Sequence, residues 1–588
     1  GTATGTTTDA TGKYSITVPE NAVLVFTYVG YKNIEERVAG RTSINVVLQT
    51  VDNSLEGVVV VGYGTQKKRD LTGSISSIKG DELARMPSNN PISSLQGKVA
   101  GLTIVNSGRA GSSPTVRIRG VNSTSNPSPL YVVDGIFQSD INYLNPADIE
   151  SIEVLRDPSS IAIFGLQGGN GVIIVTTKRA AKGQTRVSFQ SSVGVQKVID
   201  RIDVTDAAGF KQLYSTPLAN INAAPFDFSL YTANTNWQDV ILRDAVINNN
   251  TLSISNTNEK TTTLFSIGYN NQEGVLKNDK YQKYIVRLNQ ELRINNHFRI
   301  GGEVTGFHFI QNDPGADLNN ALWAAPIIPI QAGEGLYYST PSFQRAQVSN
   351  PQSRLDLADG NSIDKGFRVV GSAFGEVKFA QYFAFKSSFY TDLSFNNSRS
   401  YSPLPFRFIN IGNSVTPTDT TFNDNTRTSV TQSQSESRRF QQDHILSYTR
   451  NFNRVHQLTG LVGFTTLFQG NSNITGNRRD TSLNIPDDPA FWYLNVANAN
   501  NPTTNGGGGG EESYMSLLAR ANYSYDNKYL INASFRRDGS SKFAPQNRWG
   551  NFGSIGLGWV ISSENFFNNV KGVNFLKLRG AWGTVGSA

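Results

Sequence analysis

The residue types that usually carry chemistry are sparse in this chain. Histidine occurs four times in 588 residues, at His297, His308, His444 and His456, and cysteine not at all. The imidazoles are scattered, with no His-Glu-x-x-His pair and no His/Cys cluster to hold zinc, and no disulfide framework is possible. Gly62-Tyr63-Gly64 is followed by Lys67 where a dinucleotide fingerprint needs glycine, and there is no G-x-x-x-x-G-K-[ST] loop to cradle phosphates. Acidic pairs such as Glu511-Glu512 read as loop residues without an apolar pocket, and Asp134 beside Gly135 reads as a turn residue. These observations predict no enzyme, no catalytic residue, no metal site and no cofactor. One segment offers a different chemistry, that of the backbone. Val58, Val59, Val60 and Val61 run between Gly57 and Gly62. Such a run is either a buried strand of a neighbouring sheet or an exposed strand that adds to a partner's sheet edge.

Composition narrows the kind of protein that positions these groups. Charged residues make up 17% of the chain, against about 25% in ordinary globular proteins. Phe, Tyr and Trp reach 10%. Helix formers do not dominate, and the apolar and aromatic content is too high for disorder. The net charge is +7, yet no long Lys/Arg block exists, so nucleic acid is not an expected partner. No run of 18 apolar residues occurs, which excludes helical membrane spans. Gly1-Thr2-Ala3-Thr4 has neither the charge nor the apolar run of a signal peptide. Residues 583–588 show no terminal element, and the sequence is read as a fragment of a longer chain.

The elements follow from periodicity. Residues 1–50 hold three or four short β-branched or aromatic runs (14–18, 23–30 and 43–48), enough for a thin, N-terminally truncated β-sandwich. Residues 51–64 are a linker around the valine strand. Residues 65–182 read as a mixed αβ domain, with short helices predicted near 80–86 and 91–101 and strands at 102–105, 115–119, 130–133, 152–155 and 171–177. From 183 to 588 the pattern changes to segments of about ten residues that alternate apolar with polar. Tyr284, Val286, Leu288 and Leu292 oppose Arg287, Asn289, Glu291 and Arg293; Leu517, Ala519 and Ala521 oppose Ser516, Arg520 and Asn522; Ile531 and Ala533 oppose Asn532 and Ser534. About a dozen such strands are expected. Their length matches the roughly 9–11 residues that cross a bilayer as tilted strands. Polar residues facing one another inside a dry sandwich would be costly, so the alternation favours a lipid-facing wall around a wet lumen. Connections alternate between tight, as at 526–528, and long and polar, as at 311–366, 396–438 and 469–512. The run 506–510, all glycine, reads as a flexible loop tip.

The order of motifs from residue 58 to 178 resembles the SusC/RagA-type TonB-dependent outer-membrane transporters. The resemblance rests on the segment from Val58 to Ser74, on Leu95-Gln96-Gly97-Lys98-Val99-Ala100-Gly101-Leu102, Arg117-Ile118-Arg119-Gly120 and Pro129-Leu130-Tyr131-Val132-Val133-Asp134-Gly135, and on the runs 148–157 and 170–178. It implies a carboxypeptidase-regulatory-like β domain over 1–50, a plug over 65–182, and part of a barrel of about 22 strands over 183–588. The fold class expected is mostly β: small sandwich, mixed αβ plug and partial antiparallel transmembrane barrel. Gly165-Leu166-Gln167-Gly168-Gly169-Asn170-Gly171 lacks the arginine that the family usually carries in this turn. By resemblance, Val58, Val59, Val60, Val61, Gly62 and Tyr63 form the strand that pairs with TonB, exposed on the periplasmic side. The plug loops at 121–128 and 137–140 face the extracellular cavity. Asn122, Ser123, Ser125, Asn126, Gln138 and Asp140 then offer a ligand amides, hydroxyls and one carboxylate. That chemistry suits an oligosaccharide or peptide better than a ferric chelate, although turn residues of this kind also satisfy only their own backbone. Trp323, Tyr337, Tyr338, Trp492 and Tyr493 in the long loops serve either to stack on sugar rings or as loop anchors and lid contacts. The implied function is TonB-dependent import across the outer membrane of a Bacteroidetes-like Gram-negative cell, under a SusD-type lipoprotein lid, with a siderophore-type receptor or a non-transporting surface β protein as alternatives.

Overall fold

The computed structural model describes the chain except for residues 1–4, 10, 29–30, 32–33, 49–57, 122–126, 181–182, 184, 316, 405–406, 412–419, 422–426, 454, 480–484, 496–502, 568–569, 571 and 587–588. It divides into two units, one of residues 1–59 and 64–71, the other of residues 60–63 and 72–588.

Among the described residues of 1–50 the expected three or four strands reduce to one antiparallel pair, Val23–Phe26 with Ile34–Arg37. The runs 14–18 and 43–48 are extended without joining a ladder. Side chains tie them instead: the Tyr14 hydroxyl donates to the Ile44 carbonyl at 2.9 Å, and its ring packs edge-on against Phe26.

The second unit begins with the αβ domain. A five-stranded sheet runs in the order Ile75–Lys79, Ile149–Leu155, Val172–Thr177, Leu130–Val133, Ile136–Gln138. The contact between Val172–Thr177 and Leu130–Val133 is parallel, which makes those two strands apolar on both faces. Ile149, Ile152, Val154 and Leu155 are fully buried, each stabilising the fold by about 1.5–3 kcal/mol. A separate hairpin joins Leu102–Val105 to Thr115–Ile118. The expected helix at 80–86 is Gly80–Ala84, and that at 91–101 shrinks to the single turn Ser93–Leu95.

Thirteen strands in strict chain order make the wall around this domain, from Arg186–Gln196 to Leu578–Gly583, each antiparallel to its neighbours. Alternation sets the two faces. Leu517, Ile531, Ile555 and Leu557 point outward and are exposed, whereas Ser516, Leu518, Arg520, Ser534 and Arg536 point inward and are buried. The inner face is not simply wet. Ile285, Phe307, Val370 and Tyr390 join the plug core, and Ile445, Leu461, Leu467 and Leu518 join a second cluster with plug residues Phe137 and Phe164. At one end the connections are short, at 258–260, 294–297, 380–382, 453–455 and 526–528, with 560–577 longer; at the other, 197–244, 313–361, 403–428 and 480–502 are long, with 274–279 and 541–548 short.

Two expectations about these loops are corrected. Residues 506–510 are not a tip. They lie within Thr503–Tyr525, paired with His456–Arg479, and a Cβ on Gly507 or Gly509 would sit 2.8 or 2.7 Å from a carbonyl of the neighbouring strand. Glu511 and Glu512 are therefore strand residues. The long connections are also less polar in structure than in composition. They carry helices Ala207–Asn220, Trp237–Ile241, Leu318–Trp323 and Pro351–Ala358, packed on a core that includes Trp237, Ile241, Ala325, Ile327, Ile328 and Leu355.

Candidate functional site

The short strand Ile136–Gln138 connects two places that the sequence treated separately. Toward the long-loop end it borders a cavity of about 420 Å³ lined by Asp140, Arg368, Asp392, Arg439, Gln469 and Glu512, among others. Arg368 organises this wall. Its Nε and Nη2 donate to the two carboxylate oxygens of Asp392 at 2.8 Å each, Nη1 donates to Asp140 at 2.9 Å, and Nη2 donates to the Gln138 amide oxygen at 2.8 Å. The guanidinium lies 4.8 Å over the Tyr143 ring. A fork that fits a carboxylate in two bonds holds geometry as well as charge. Arg439 differs. It donates to the Phe137 carbonyl and to Gln469, and among the described residues it forms no ion pair with a carboxylate. A buried guanidinium with neutral partners retains attraction for an anionic group that enters the cavity.

The other side of the strand meets the valine segment. Phe137 accepts through its carbonyl from Arg439, donates its N–H to Gln441 at 3.0 Å, and sets its ring 6.0 Å from Phe164. Gln441 continues to the Gly135 carbonyl and to Asp443. Below lies the segment 61–63. Val61 is buried and its carbonyl accepts from Arg520 at 2.8 Å. Tyr63 packs on the Phe137–Phe164 cluster and receives a long hydrogen bond from Arg536. Burial, and then the charge of Asp443, push the Tyr63 phenol up to about 12, so it stays protonated at physiological pH. Arg536 also donates to the Ile163 carbonyl, to Ser516 and to Asp538, and Asp538 accepts from the Leu166 N–H at 2.7 Å. Gly165 permits that contact: its φ is +56°, and a Cβ there would lie 1.8 Å from Asp538.

Asp134 is the turn residue expected, with φ +49°, and it does more. It accepts from the Thr177 N–H and hydroxyl, and Thr177 accepts from Arg287, which forms an ion pair with Glu303 at 3.0 Å. Burial and the Glu303 charge raise the Asp134 carboxyl.

Comparison with known proteins decides what this arrangement belongs to. The model of the TonB-dependent Receptor Plug Domain matches residues 67–172, and that of the CarboxypepD_reg-like domain matches residues 1–60. TonB-dependent receptor P39 of Formosa agariphila is 31% identical over 595 residues, covering all of this chain and 55% of the relative. TonB-dependent receptor SusC of Bacteroides thetaiotaomicron is 30% identical over 630 residues, covering all of this chain and 59% of the relative. The RagAB peptide importer in its open-open state has the same fold, with a TM-score of 0.76 at 22% identity over 90% of this chain and 61% of its own. The two domain matches, the receptor relatives and the shared fold together support a SusC/RagA-type TonB-dependent receptor. The chain spans just over half the length of the curated relatives it matches.

The receptor's predicted site residues have different fates. Asn122, Ser123, Ser125 and Asn126 lie outside the described residues. Gln138 and Asp140 come together at the cavity, but Gln138 is buried on Arg368 and only Asp140 is partly open. Val58–Val60 takes strand conformation. The expected exposure of 58–63 is corrected at its C-terminal end. Val61 is buried, because Arg520 and Arg536 supply donors that its backbone and Tyr63 would otherwise find in water. Among the loop aromatics, Trp492 is buried and stacks on Tyr401 at 5.5 Å, and Tyr337 is buried with its hydroxyl on Asp356. Those two are anchors and are closed to sugar stacking. Trp323 and Tyr493 remain exposed, the latter beneath Arg399. Sequence reading missed Arg368 and Arg439. Alternation put Arg520 and Arg536 on the polar face, but nothing local marks any of the four from other arginines.

Proposed function

We propose that the receptor imports a polar oligomer, a peptide in preference to an oligosaccharide, across the outer membrane, and that TonB supplies the work through residues 58–63. The short-turn end of the wall then faces the periplasm and the long-loop end the exterior, where a SusD-type lipoprotein closes over the bound ligand. The observation that carries this reading is the double contact of Ile136–Gln138. Through Gln138 and the Phe137 carbonyl it touches the cavity, and through the Phe137 ring it supports the cluster on which Tyr63 rests. A ligand that draws Arg368 or Arg439 away from the plug loosens that support and frees 61–63 for strand addition. Pairing by backbone suits a pulled contact, since it needs little side-chain specificity.

The preference for a peptide rests on the lining. Ion pairs and an arginine without a carboxylate partner surround the cavity, and no aromatic ring lines it among the described residues. Peptides present charged ends and side chains to such a wall, whereas sugar rings bind best on aromatic faces. The likeness to the RagAB peptide importer agrees with this choice. The test is competitive capture. The full-length receptor with its lid is incubated with a tryptic digest of casein mixed with malto-oligosaccharides, and what co-purifies is identified by mass spectrometry. Peptides retained by the native receptor and depleted about tenfold by Arg439→Gln support the assignment. Retention of oligosaccharide without peptide contradicts it.

A further inference from the structure

The outer face of the wall carries a depression that the transport reading does not use. Tyr448, Gly460, Ala521, Ala533 and Ile555 occupy one outward row across five successive strands, each opposite the next in register. Three small residues thus stand side by side, with Ala519 next to them in the adjacent row. Phe383, Leu446, Tyr448 and Phe535 form the rims. The hollow measures about 520 Å³ and its surface is almost wholly apolar. Side chains of ordinary size at these positions would have filled the hollow, as Leu458, Tyr523, Ile531 and Leu557 fill the row nearer the short turns.

At the short-turn mouth of this hollow stands Arg450. It is two residues from Tyr448 on the same outward face and is exposed. Its guanidinium lies 4.8 Å over the Tyr382 ring and 6.0 Å from that of Phe452, beside the Tyr448 hydroxyl. Among the described residues it has no ion pair with a carboxylate. The next row toward the turns is Phe452, His456, Tyr525, Tyr529 and Trp559, a belt of the kind that sits at headgroup level. An uncompensated cation held on aromatic rings at that level, directly below an apolar trough, is complementary to one molecule: an anionic headgroup with an acyl chain attached.

We propose that this face is a binding site for a glycerophospholipid, its phosphate on Arg450 and one acyl chain laid along Gly460, Ala519, Ala521 and Ala533. The bidentate guanidinium supplies directed hydrogen bonds to phosphate oxygens. The small residues let the chain lie deeper than bulk lipid and gain contact along its length. Lipids in the surrounding bilayer exchange along a smooth wall; this one is retained.

Native mass spectrometry of the full-length receptor in detergent tests the assignment, with dioleoyl phosphatidylglycerol as probe and dioleoylglycerol as the chain without a phosphate. One phosphatidylglycerol adduct per receptor is expected to survive, with the diacylglycerol adduct about tenfold weaker. Arg450→Gln lowers phosphatidylglycerol occupancy about tenfold, and Arg450→Lys restores part of it. Ala521→Leu fills the trough from the lipid side, where a larger apolar residue leaves the fold intact, and lowers occupancy with Arg450 present. Heat-modifiable gel migration confirms that each variant is folded. Equal retention of both probes, or occupancy unchanged in both Arg450→Gln and Ala521→Leu, overturns the proposal.

Discussion

Arg368, Arg439, Arg520 and Arg536 join the plug to the wall one bond at a time. Their partners lie far away in sequence, 228 residues for Arg368 and Asp140 and 459 for Arg520 and Val61. Such pairs depend on the register of strands brought together only by the whole fold, and for that reason the sequence did not single them out. Asp134, by contrast, was legible as a turn residue because an Asp-Gly pair marks a turn locally. Removing the Val61 contact has a defined consequence. Arg520→Gln replaces a charged donor, worth about 1.5–3 kcal/mol, and amide exchange at residues 61–63 should accelerate by about tenfold or more while the strands 149–155 and 172–177 stay protected. Unchanged exchange at 61–63 would show that Arg520 does not hold the segment. Glu153 makes a pH prediction. It is buried in the plug strand Ile149–Leu155, with one oxygen near Ser77 and the other without a partner among the described residues. Burial raises its carboxyl to about 7. The folded plug therefore binds this proton more tightly than the unfolded chain, and stability falls as pH rises from about 4.5 through 7. Glu153→Gln should stabilise the plug by about 3 kcal/mol at pH 8 and change it little at pH 4, measured as opening free energies from hydrogen exchange. An equal effect at both pH values would rule out the buried carboxylate charge as the cause.

Strands of the wall were the most legible elements, because period-two alternation with one lipid-facing side leaves a signal in every segment. That signal weakened where the inner face turned apolar to meet the plug, as at Ile285, Phe307 and Val370. It also gave too short a length, about ten residues: Ser429–Phe452 and His456–Arg479 run for 24 residues each, well beyond the roughly 9–11 needed to cross the bilayer. Inside the plug, Ile75–Lys79 and Ile136–Gln138 escaped notice, being short and, in the first case, broken by two serines. The helices of the long connections escaped for another reason. Their polar composition hides an apolar core contributed by several loops at once. Facing assignments can be tested by depth. Ile555→Arg lies two outward positions from the aromatic belt and should cost about 2–4 kcal/mol in lipid vesicles, with Leu557→Arg, one position nearer the belt, costing less. Equal tolerance of both would reverse the outward assignment. The neighbouring Gly556 faces the plug, where a Cβ would lie 2.4 Å from the Thr72 hydroxyl oxygen, and any side chain there strikes the plug.

At the scale of the molecule, the order of domains and the resemblance were readable from motifs because plug turns need particular glycines and aspartates at fixed spacings. The joining of the proposed ligand cavity to the proposed coupling segment was not, since it runs through one three-residue strand. TonB is proposed to do its work on the receptor at strand 58–60 and the clamped residues 61–63. The direct measurement is accumulation of a captured, labelled ligand by cells carrying the full-length receptor, with surface binding measured in parallel. Val60→Pro removes a backbone donor and fixes φ. Binding should remain at the native level and uptake should fall to that of cells lacking TonB. Normal uptake by Val60→Pro, or uptake in cells without TonB, would contradict the claim.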